Sequence, residues 1–474
     1  MKIKRSLGLI GITIGSLVLG CIILLALSVP ISKWSENPNP IPIQRHQHYY
    51  ITNAQVLDSS ENKLAFKLGV LEIKNGYIKN VFFDNFKPLL PEIKQFNANG
   101  MYLLPGLIDS HVHIFDQADL FAYIRYGVTS VRNMMGFPIH LTWKDRIKRG
   151  ELIGPNLITA SPTLNAGNGG GPFHKKINSP EQVKELVIQY QQQGYDFIKF
   201  YDGLDKASYN ALSSTAQASS FQYAGHPVRQ IPLEDLLRSS PTSLEHIEEL
   251  FHGPLDYKFD KEKTTRLIKS LKAANQMIVP TMTAYENIYM ATFEQGKLDL
   301  LARLAQINPL IGWIAERQLD PATHPDHQKW IKDKRVFLHN LAKQLYLANV
   351  PMALGTDTGP AAVIAGLSVH EELALLSEIG FSNEYLIKMA TTQGANLLNQ
   401  ADITGQIKNG TRADLILVSE NPFDDISALK APEAVVIFGQ YLSQQELKQL
   451  ELASMAHQSI YETTGIFVDH LLKL

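Results

Sequence analysis

The chain has 474 residues, of which 45% are hydrophobic, and its formal net charge is −2 at pH 7. This length is enough for one large domain and a second, smaller one. No basic block follows residue 5, so the clustered lysines and arginines of a nucleic-acid-binding protein are absent. Cys21 is the only cysteine, which excludes an internal disulfide and a thiolate metal site.

The N-terminal segment, residues 1–29, predicts attachment to a membrane. Three basic residues within the first five positions precede an uncharged stretch of 23 residues, Leu7–Val29. As a helix rising about 1.5 Å per residue, this stretch is long enough to cross a bilayer. The positive-inside rule then places the following domain outside the cytoplasm, in the periplasm. Two alternatives stay open, because Ala26–Ser28 is typical of a signal cleavage site and Val18–Cys21 loosely resembles a lipoprotein signal.

The next two segments predict a linker and a small β-domain. Residues 30–47 contain four prolines, three of them between positions 38 and 42, and predict an extended tether. Residues 48–104 contain short runs of alternating polar and apolar residues, such as Gly69–Lys74 and Tyr77–Phe83. The dipeptide Asn75-Gly76 between these two runs is typical of a tight hairpin turn.

Eight short apolar runs then alternate with helix-forming stretches over residues 105–397. This alternation is typical of a parallel sheet covered by helices, and eight units predict a TIM-type (β/α)8 barrel. The runs are Tyr102–Ile108, Val128–Arg132, Asn156–Thr159, Phe197–Tyr201, Phe221–Ala224, Ser243–Glu245, Met277–Pro280 and Met352–Gly355. Because the carboxyl ends of barrel strands converge, the residues that end these runs are predicted to be neighbours.

Six side chains that could bind a metal lie at those ends. His111 and His113 are two apart at the end of the first run, so both imidazoles point the same way. Four further candidates end the fourth, fifth, sixth and eighth runs: Lys199, His226, His246 and Asp357. Two simpler interpretations stay open, namely an ordinary ion pair for Lys199 and a helix N-cap for Asp357.

These residues lie in motifs that resemble the amidohydrolase superfamily of metal-dependent hydrolases, in the branch similar to imidazolonepropionase and the zinc-dependent prolidases. The motifs are Pro105–His113, Ile198–Tyr201, Gly355–Asp357, Ser368–Leu373 and Gly405–Val418 with Asn421-Pro422. The resemblance covers about residues 49–440. It implies that residues 398–441 complete a β-sandwich with residues 48–104 and that the barrel is inserted between them. The remaining tail, residues 442–474, is predicted from its own sequence to be helical, with packing as its only role.

The resemblance also implies a chemistry. His111, His113 and Asp357 would hold one divalent ion, His226 and His246 a second, and a carbamylated Lys199 would bridge them; zinc is the expected metal. A protonated lysine has no lone pair to donate, whereas its carbon dioxide adduct is an anion. A metal-activated water would attack an amide bond of a small-molecule substrate, with Asp357 as the proton shuttle.

Four residues are predicted to contact the substrate: Tyr201, Arg229, Tyr285 and His174. For the first three, packing at the pocket rim is an equally good interpretation. Arg229 stands where deaminases of the superfamily carry a glutamate, which disfavours deamination. His174 ends a glycine-rich segment that predicts a flexible loop, and residues 286–332, with Trp313, predict a lid.

The sequence is compatible with three alternative functions. The first is a mononuclear, imidazolonepropionase-like hydrolase of cyclic amides, in which Lys199 would be unmodified. A lactonase or phosphotriesterase is a second, and an inactive exported binding module is a third. The sequence is also compatible with a homo-oligomer. It does not reveal the substrate, because the loops that line a pocket vary freely on this scaffold.

Overall fold

The computed structural model describes residues 24, 26–30, 38–58, 64–83, 90–167, 171–320, 324–456 and 459–474. Within these ranges the strands form one mixed sheet and two parallel sheets. The strands are β1 His48–Asp58, β2 Ala65–Lys74, β3 Tyr77–Phe83, β4 Lys94–Asn97, β5 Tyr102–Pro105, β6 Leu107–Val112, β7 Val128–Asn133, β8 Asn156–Thr159, β9 Leu164–Ala166, β10 Lys175–Ile177, β11 Phe197–Phe200, β12 Gln222–Gly225, β13 Leu244–Glu245, β14 Ile278–Val279, β15 Leu415–Val418, β16 Ala434–Ile437 and β17 Gln440–Ser443.

Helices follow most of the parallel strands and also form the C-terminal part of the chain. They are α1 Ala118–Arg125, α2 Pro138–Arg149, α3 Pro180–Gln193, α4 Lys206–Ala218, α5 Leu233–Arg238, α6 Ile247–His252, α7 Lys261–Ala273, α8 Met282–Met290, α9 Glu294–Leu304, α10 Pro309–Leu319, α11 Pro325–Leu347, α12 Leu367–Ile379, α13 Asn383–Lys388, α14 Gly394–Leu397, α15 Gln444–Ala456 and α16 Ile460–Leu471. A π-helical turn, Met389–Gln393, lies between α13 and α14, and a 3₁₀ turn covers Ile426–Lys430.

The mixed sheet joins strands from distant parts of the chain. Its order is β17-β16-β15-β5-β1-β2-β3, and β4 pairs with β1. Strand β15 runs antiparallel to β5, so that Leu415 lies opposite Pro105. The predicted turn at Asn75-Gly76 joins β2 to β3, and both residues have the positive φ that such a turn requires, 51° and 89°. Residues 48–105 and 415–443 therefore pack as one sheet.

The parallel strands lie in two sheets connected by single bridges. Their orders are β6-β7-β8 and β10-β9-β11-β12-β13-β14. Ala160 pairs in parallel with Phe197, which connects the two sheets. Beyond β14, Ile278 pairs with Met352, and Thr358 pairs with Val112 of β6. The segment Met352–Thr358 thus lies between β14 and β6, and the α/β architecture expected from the sequence is confirmed.

Helix α3 shows how the sequence builds one of these strand–helix units. Ser179 accepts a hydrogen bond from the backbone N–H of Gln182 and so caps the first turn, and Pro180 fits the first helical position. The helix ends at Gly194, whose φ of 94° is a conformation that glycine adopts without strain. One face is apolar and buried, with Val183, Leu186, Val187 and Tyr190. Strand β11 follows three residues after the cap and carries Lys199.

The prediction of a membrane anchor is corrected. Of the predicted span Leu7–Val29, only Leu24 and residues 26–29 are among the described residues, and the rest lies outside them. No helix in the described part of the chain is both long and apolar enough to cross a bilayer. The longest described helix, α11, contains four lysines and an arginine, whose charges are costly to place in hydrocarbon. The expectation of a membrane-anchored, periplasmic domain is therefore wrong.

Candidate metal centre

His111 and His113 lie at the carboxyl end of β6, next to the chain segment that carries Asp357. The backbone N–H of Asp357 donates to the carbonyl of His111 at 2.8 Å, and the N–H of His113 donates to the carbonyl of Thr358 at 3.1 Å. Because residues two apart on a strand point to the same face, both imidazoles turn towards the Asp357 carboxylate. Backbone pairing between distant segments thus brings these three side chains together.

The ligand atoms of these three residues converge on one buried point. Asp357 Oδ1 lies 2.9 Å from His113 Nε2 and 3.3 Å from His111 Nε2. One ligand atom from each residue lies within 4.8 Å of the other two. His111 Nε2 and Asp357 Oδ1 are buried, and neither has a hydrogen-bond partner of acceptable geometry. Leaving such an atom unsatisfied costs about 1–3 kcal/mol, so the donor set fits a divalent cation.

His226 and His246 extend this cluster. The ring of His246 lies 4.5 Å from the ring of His111 and 4.6 Å from that of His226, measured between centroids. His246 Nδ1 lies 2.7 Å from the hydroxyl of Thr281, which leaves Nε2 for a ligand. Burial, with His111 and Lys199 nearby, lowers the pKa of His246 to about 3 and that of His226 well below its ordinary value. Both rings are therefore neutral near pH 7, as metal ligation requires.

Lys199 lies in the same cavity as these histidines. It is carried by β11 and is 2% exposed, and its ammonium nitrogen is buried without a hydrogen-bond partner. Burial lowers the pKa of Lys199 to about 8, although Glu245 and Asp357 act in the opposite direction. A lysine must be neutral to react with carbon dioxide, so this environment suits the carbamylation that the sequence analysis expects.

Glu245, which the sequence analysis did not single out, holds His111 from behind. Its Oε2 lies 2.7 Å from His111 Nδ1, and its Oε1 accepts a hydrogen bond from Arg132 at 2.6 Å. Arg132 also donates to the carbonyl of Ser110 at 2.7 Å. Burial would raise the pKa of Glu245, but Arg132 and His111 hold it below its ordinary value. The carboxylate therefore keeps the proton of His111 on Nδ1 and leaves Nε2 facing Asp357.

The backbone is strained at three positions of this site. His246, Asp357 and Thr281 have positive φ angles of 63°, 62° and 48°. Such conformations cost of order 1–3 kcal/mol each and cluster at functional sites. Gly355 is required for a different reason: an added Cβ would lie 2.9 Å from the Cβ of His111 and 2.4 Å from a methyl group of Val279. The segment before Asp357 therefore packs directly against the first strand.

A cavity of about 530 Å³ opens onto these residues. Its polar side consists of the candidate ligands His113, Lys199, His226, His246 and Asp357, together with Thr163, Tyr201 and His174. The ring of Tyr201 lies 3.9 Å from that of His226, and the ring of His174 lies 4.7 Å from that of Tyr201. Two of the four predicted substrate contacts, Tyr201 and His174, thus line the cavity.

The other two, Arg229 and Tyr285, are not among the described residues that line this cavity. The guanidinium of Arg229 donates to Asp202 at 2.6 Å and is 52% exposed, in a separate surface groove. The hydroxyl of Tyr285 donates to the carbonyl of Ile331 at 3.1 Å, and the ring lies against Lys334. The partner of each polar group, Asp202 or Ile331, likewise is not among the described residues that line the cavity.

Known proteins resemble the chain in both sequence and fold. The model of the Amidohydrolase family matches residues 320–442, a range that includes Asp357. Ochratoxinase from Aspergillus niger is 22% identical over 366 residues, which cover 70% of this chain and 73% of that protein. Two solved structures share the fold. A Xaa-Pro dipeptidase with methionine bound in its active site has a TM-score of 0.65 and 20% identity, over 84% of this chain and 100% of that chain. A bottromycin amidohydrolase has a TM-score of 0.71 and 21% identity, over 91% and 93%.

Proposed function

We propose that the chain is a metal-dependent hydrolase of amide bonds in small molecules and a member of the amidohydrolase superfamily, as the match to the family model and the similarity in fold support. The observation that carries the proposal is the convergence of His111, His113 and Asp357, whose ligand atoms lie within 4.8 Å of one another. Similarity to an amidohydrolase and to a Xaa-Pro dipeptidase supports an amide as the bond that is cleaved. The cavity beside the cluster is large enough for a small molecule.

The donor set supports two divalent ions, with zinc as the expected metal. His111, His113 and Asp357 would hold one ion, His226 and His246 the other, and Lys199 as its carbamate would lie between them. The buried Lys199 nitrogen and Asp357 Oδ1, both without a hydrogen-bond partner, support this assignment. When bound, a divalent ion supplies a Lewis acid that polarises the amide carbonyl and lowers the pKa of water.

Asp357 has the position and the charge of a proton shuttle. Burial would raise its pKa, but the neighbouring histidines, His246 first, hold that pKa well below its ordinary value, so the group stays a carboxylate. A carboxylate that faces the cavity accepts a proton from the attacking water and returns it to the leaving nitrogen. His111, fixed by Glu245, keeps the carboxylate in place from the opposite side.

The fold proposal follows from the bridges between strands. We propose that β6–β8, β11–β14 and the extended segment Met352–Gly355 close into a (β/α)8 barrel, inserted in a β-sandwich formed by residues 48–104 and 398–441. The parallel bridges at Ala160, Ile278 and Val112 support closure, because they connect successive strands on both sides of the gaps. In such a barrel the active site lies at the carboxyl ends of the strands, where His111 and Asp357 lie.

Hydrolysis by the metal-depleted and the metal-loaded protein tests this function. Chelator-treated protein is dialysed, supplied with zinc, and assayed against N-acyl amino acids, dipeptides, lactones and phosphotriesters. We expect hydrolysis of at least one amide class that disappears on chelation and returns with zinc. A zinc-loaded, folded protein that cleaves only lactones or phosphotriesters would contradict the amide assignment. One that binds zinc and cleaves nothing would contradict the enzymatic proposal.

A further inference from the structure

Part of the cavity lining is aromatic. It consists of Phe115, Phe173, Trp313 and Phe467, which we call the aromatic wall. The Phe467 ring lies 4.6 Å from that of Phe173 and 5.5 Å from that of Phe115, measured between centroids. Phe115 in turn lies nearly parallel to the candidate ligand His113, with 6.1 Å between the rings and a 9° angle. The apolar surface therefore reaches the metal centre without a break.

The helix that carries Phe467, α16, is fixed by buried polar contacts. A ring nitrogen of His470, which is 1% exposed, lies 2.9 Å from the carbonyl of Phe173. Near the start of α16, the amide of Asn308 donates to Thr463 at 3.0 Å and to Asp116 at 2.8 Å. These contacts tie the C-terminal helix to the loop and the strand end that border the cavity. The wall is therefore formed before a ligand arrives, which reduces the entropy lost on binding.

Trp313 adds a more exposed ring to the wall. It lies on α10 and is 52% exposed, whereas Phe467 is 7% exposed. The guanidinium of Arg317 lies 4.2 Å from the centroid of the Trp313 ring. When a ligand covers a half-exposed tryptophan at a cavity, a large aromatic surface is buried, and tryptophan is among the residue types that contribute most to the binding free energy. The wall thus offers one ring at its depth and another near its opening.

The described lining of the cavity offers few cations to a charged substrate group. Lys199 is the only lysine or arginine among those described residues, and it lies on the polar side with the histidines. Arg229, which is predicted to contact the substrate, pairs with Asp202, and neither residue is among the described residues of this lining. A charged group placed against the more buried rings, Phe173 and Phe467, would lose its hydration without an ion-pair partner, since Arg317 lies at the Trp313 ring. The wall therefore suits an uncharged group.

We propose that the aromatic wall binds an uncharged, ring-sized apolar group of the substrate beside the scissile amide, and that Phe467 and Trp313 determine this specificity. This inference rests on the proposed amide hydrolysis for its position next to the scissile bond. Binding of the ring group itself depends only on the wall. The two parts are therefore measured separately.

The probes are four amides made from two acids, acetic and 3-phenylpropanoic, and two amines, methylamine and benzylamine. We expect kcat/KM to be at least about tenfold higher for an amide with a ring than for N-methylacetamide. Apolar pockets distinguish substrates that differ in an apolar group by roughly 10–200-fold in kcat/KM. A second pair cannot be hydrolysed, since a CH2 replaces the amide N–H: 1,5-diphenylpentan-3-one and butan-2-one. Calorimetry on the zinc-loaded protein is expected to show at least about tenfold tighter binding of the diphenyl ketone.

Variants of the wall test whether its aromatic side chains cause the preference for substrates with a ring. Phe467→Ala and Trp313→Ala should each lower the ring advantage, in both kcat/KM and ketone binding, by about fivefold or more. Phe467→Leu keeps an apolar side chain and should lose less, and it also serves if Phe467→Ala folds poorly. Tyr461→Ala is the matched control, because Tyr461 is an aromatic residue of the same helix whose hydroxyl contacts Leu24 rather than the cavity. It should keep the full ring advantage.

The outcomes separate this inference from the proposed function. Ring-selective ketone binding that falls in the wall variants, without hydrolysis of any amide, would support the wall and overturn the function. Hydrolysis with no ring preference, unchanged in Phe467→Leu and Trp313→Ala, would overturn the inference and leave the function standing. A ring advantage that Tyr461→Ala lowers as much as Trp313→Ala would also overturn it.

Discussion

The two sides of the cavity are built in different ways. The polar side comes from strand ends and from the segment after Gly355, which backbone hydrogen bonds hold in register with β6. The aromatic wall comes from two loops and two helices, and its most buried member, Phe467, lies more than a hundred residues after Asp357. We therefore expect the polar side to determine turnover and the aromatic wall to determine substrate preference. Substitutions on the polar side should abolish turnover or metal binding, whereas those on the wall should change which substrate is preferred.

The largest effect is expected for Asp357→Asn. The amide keeps the size and one oxygen of the carboxylate but cannot accept a proton, so turnover should fall by about 10²–10⁴-fold. Initial rates with the best amide substrate, measured at matched zinc content, give this value. A variant that keeps more than a tenth of the wild-type rate would show that another group moves the proton.

The next largest effect is expected for Lys199→Ala. Loss of the shared anionic ligand would leave the two ions with less charge compensation, and the ion held by His226 and His246 should be lost first. Elemental analysis should then find about one ion per chain in place of two. Small carboxylic acids should restore part of the activity by filling the vacated space, and Lys199→Glu should retain some metal. Full metal content and full turnover in Lys199→Ala would contradict the bridging role and favour a mononuclear centre.

A smaller effect is expected for Glu245→Gln. Glutamine can still accept from Arg132, but it no longer fixes the proton of His111 by charge, and such changes typically weaken metal affinity by about 10–100-fold. Competition with a chromogenic chelator measures the affinity. Glu151→Gln is the control, because Glu151 pairs with Arg149 at the surface. Equal zinc affinity in Glu245→Gln and wild type would remove Glu245 from the site.

The smallest effect is expected for Arg229→Ala. This side chain forms a half-exposed ion pair with Asp202 outside the cavity, and such pairs contribute at most about 1 kcal/mol. Activity on amides, with or without a carboxylate, should stay within about twofold of wild type. A selective loss for substrates with a carboxylate would return Arg229 to the substrate site and weaken the contrast between the two sides.

Local sequence patterns predicted which residues lie together on much of the polar side of the cavity. The spacing of His111 and His113 follows from strand alternation, and the positions of His226, His246 and Asp357 follow from the ends of apolar runs. The structure brings these residues to one place, although their roles as ligands stay predictions. Glu245 was missed despite one signal, a charged residue inside an apolar run; its meaning depends on Arg132 of another strand.

The aromatic wall could not be predicted in the same way. The predicted lid includes Trp313, and the structure confirms neither an opening nor a closing motion but places this ring in the cavity lining. The tail was expected to be helical, and α15 and α16 are helices, yet its only expected role was packing. Phe467 borders the cavity because Thr463 and His470 dock on distant segments, and a single sequence contains no local signal for such contacts. The partners of Arg229 and Tyr285 also lie in parts of the chain distant from any local pattern that a single sequence shows, and the contact of these two residues with the substrate stays a prediction.

The most direct test of the metal centre is the number of zinc ions per chain in wild type and in the double variant His111→Ala/Asp357→Ala. After loading with zinc and removal of excess metal, elemental analysis of wild type should give up to two ions per chain, and circular dichroism should show both proteins folded. The double variant should lose the ion that these residues would share with His113. Equal zinc content in the two folded proteins, or no more than a trace in wild type, would contradict the account.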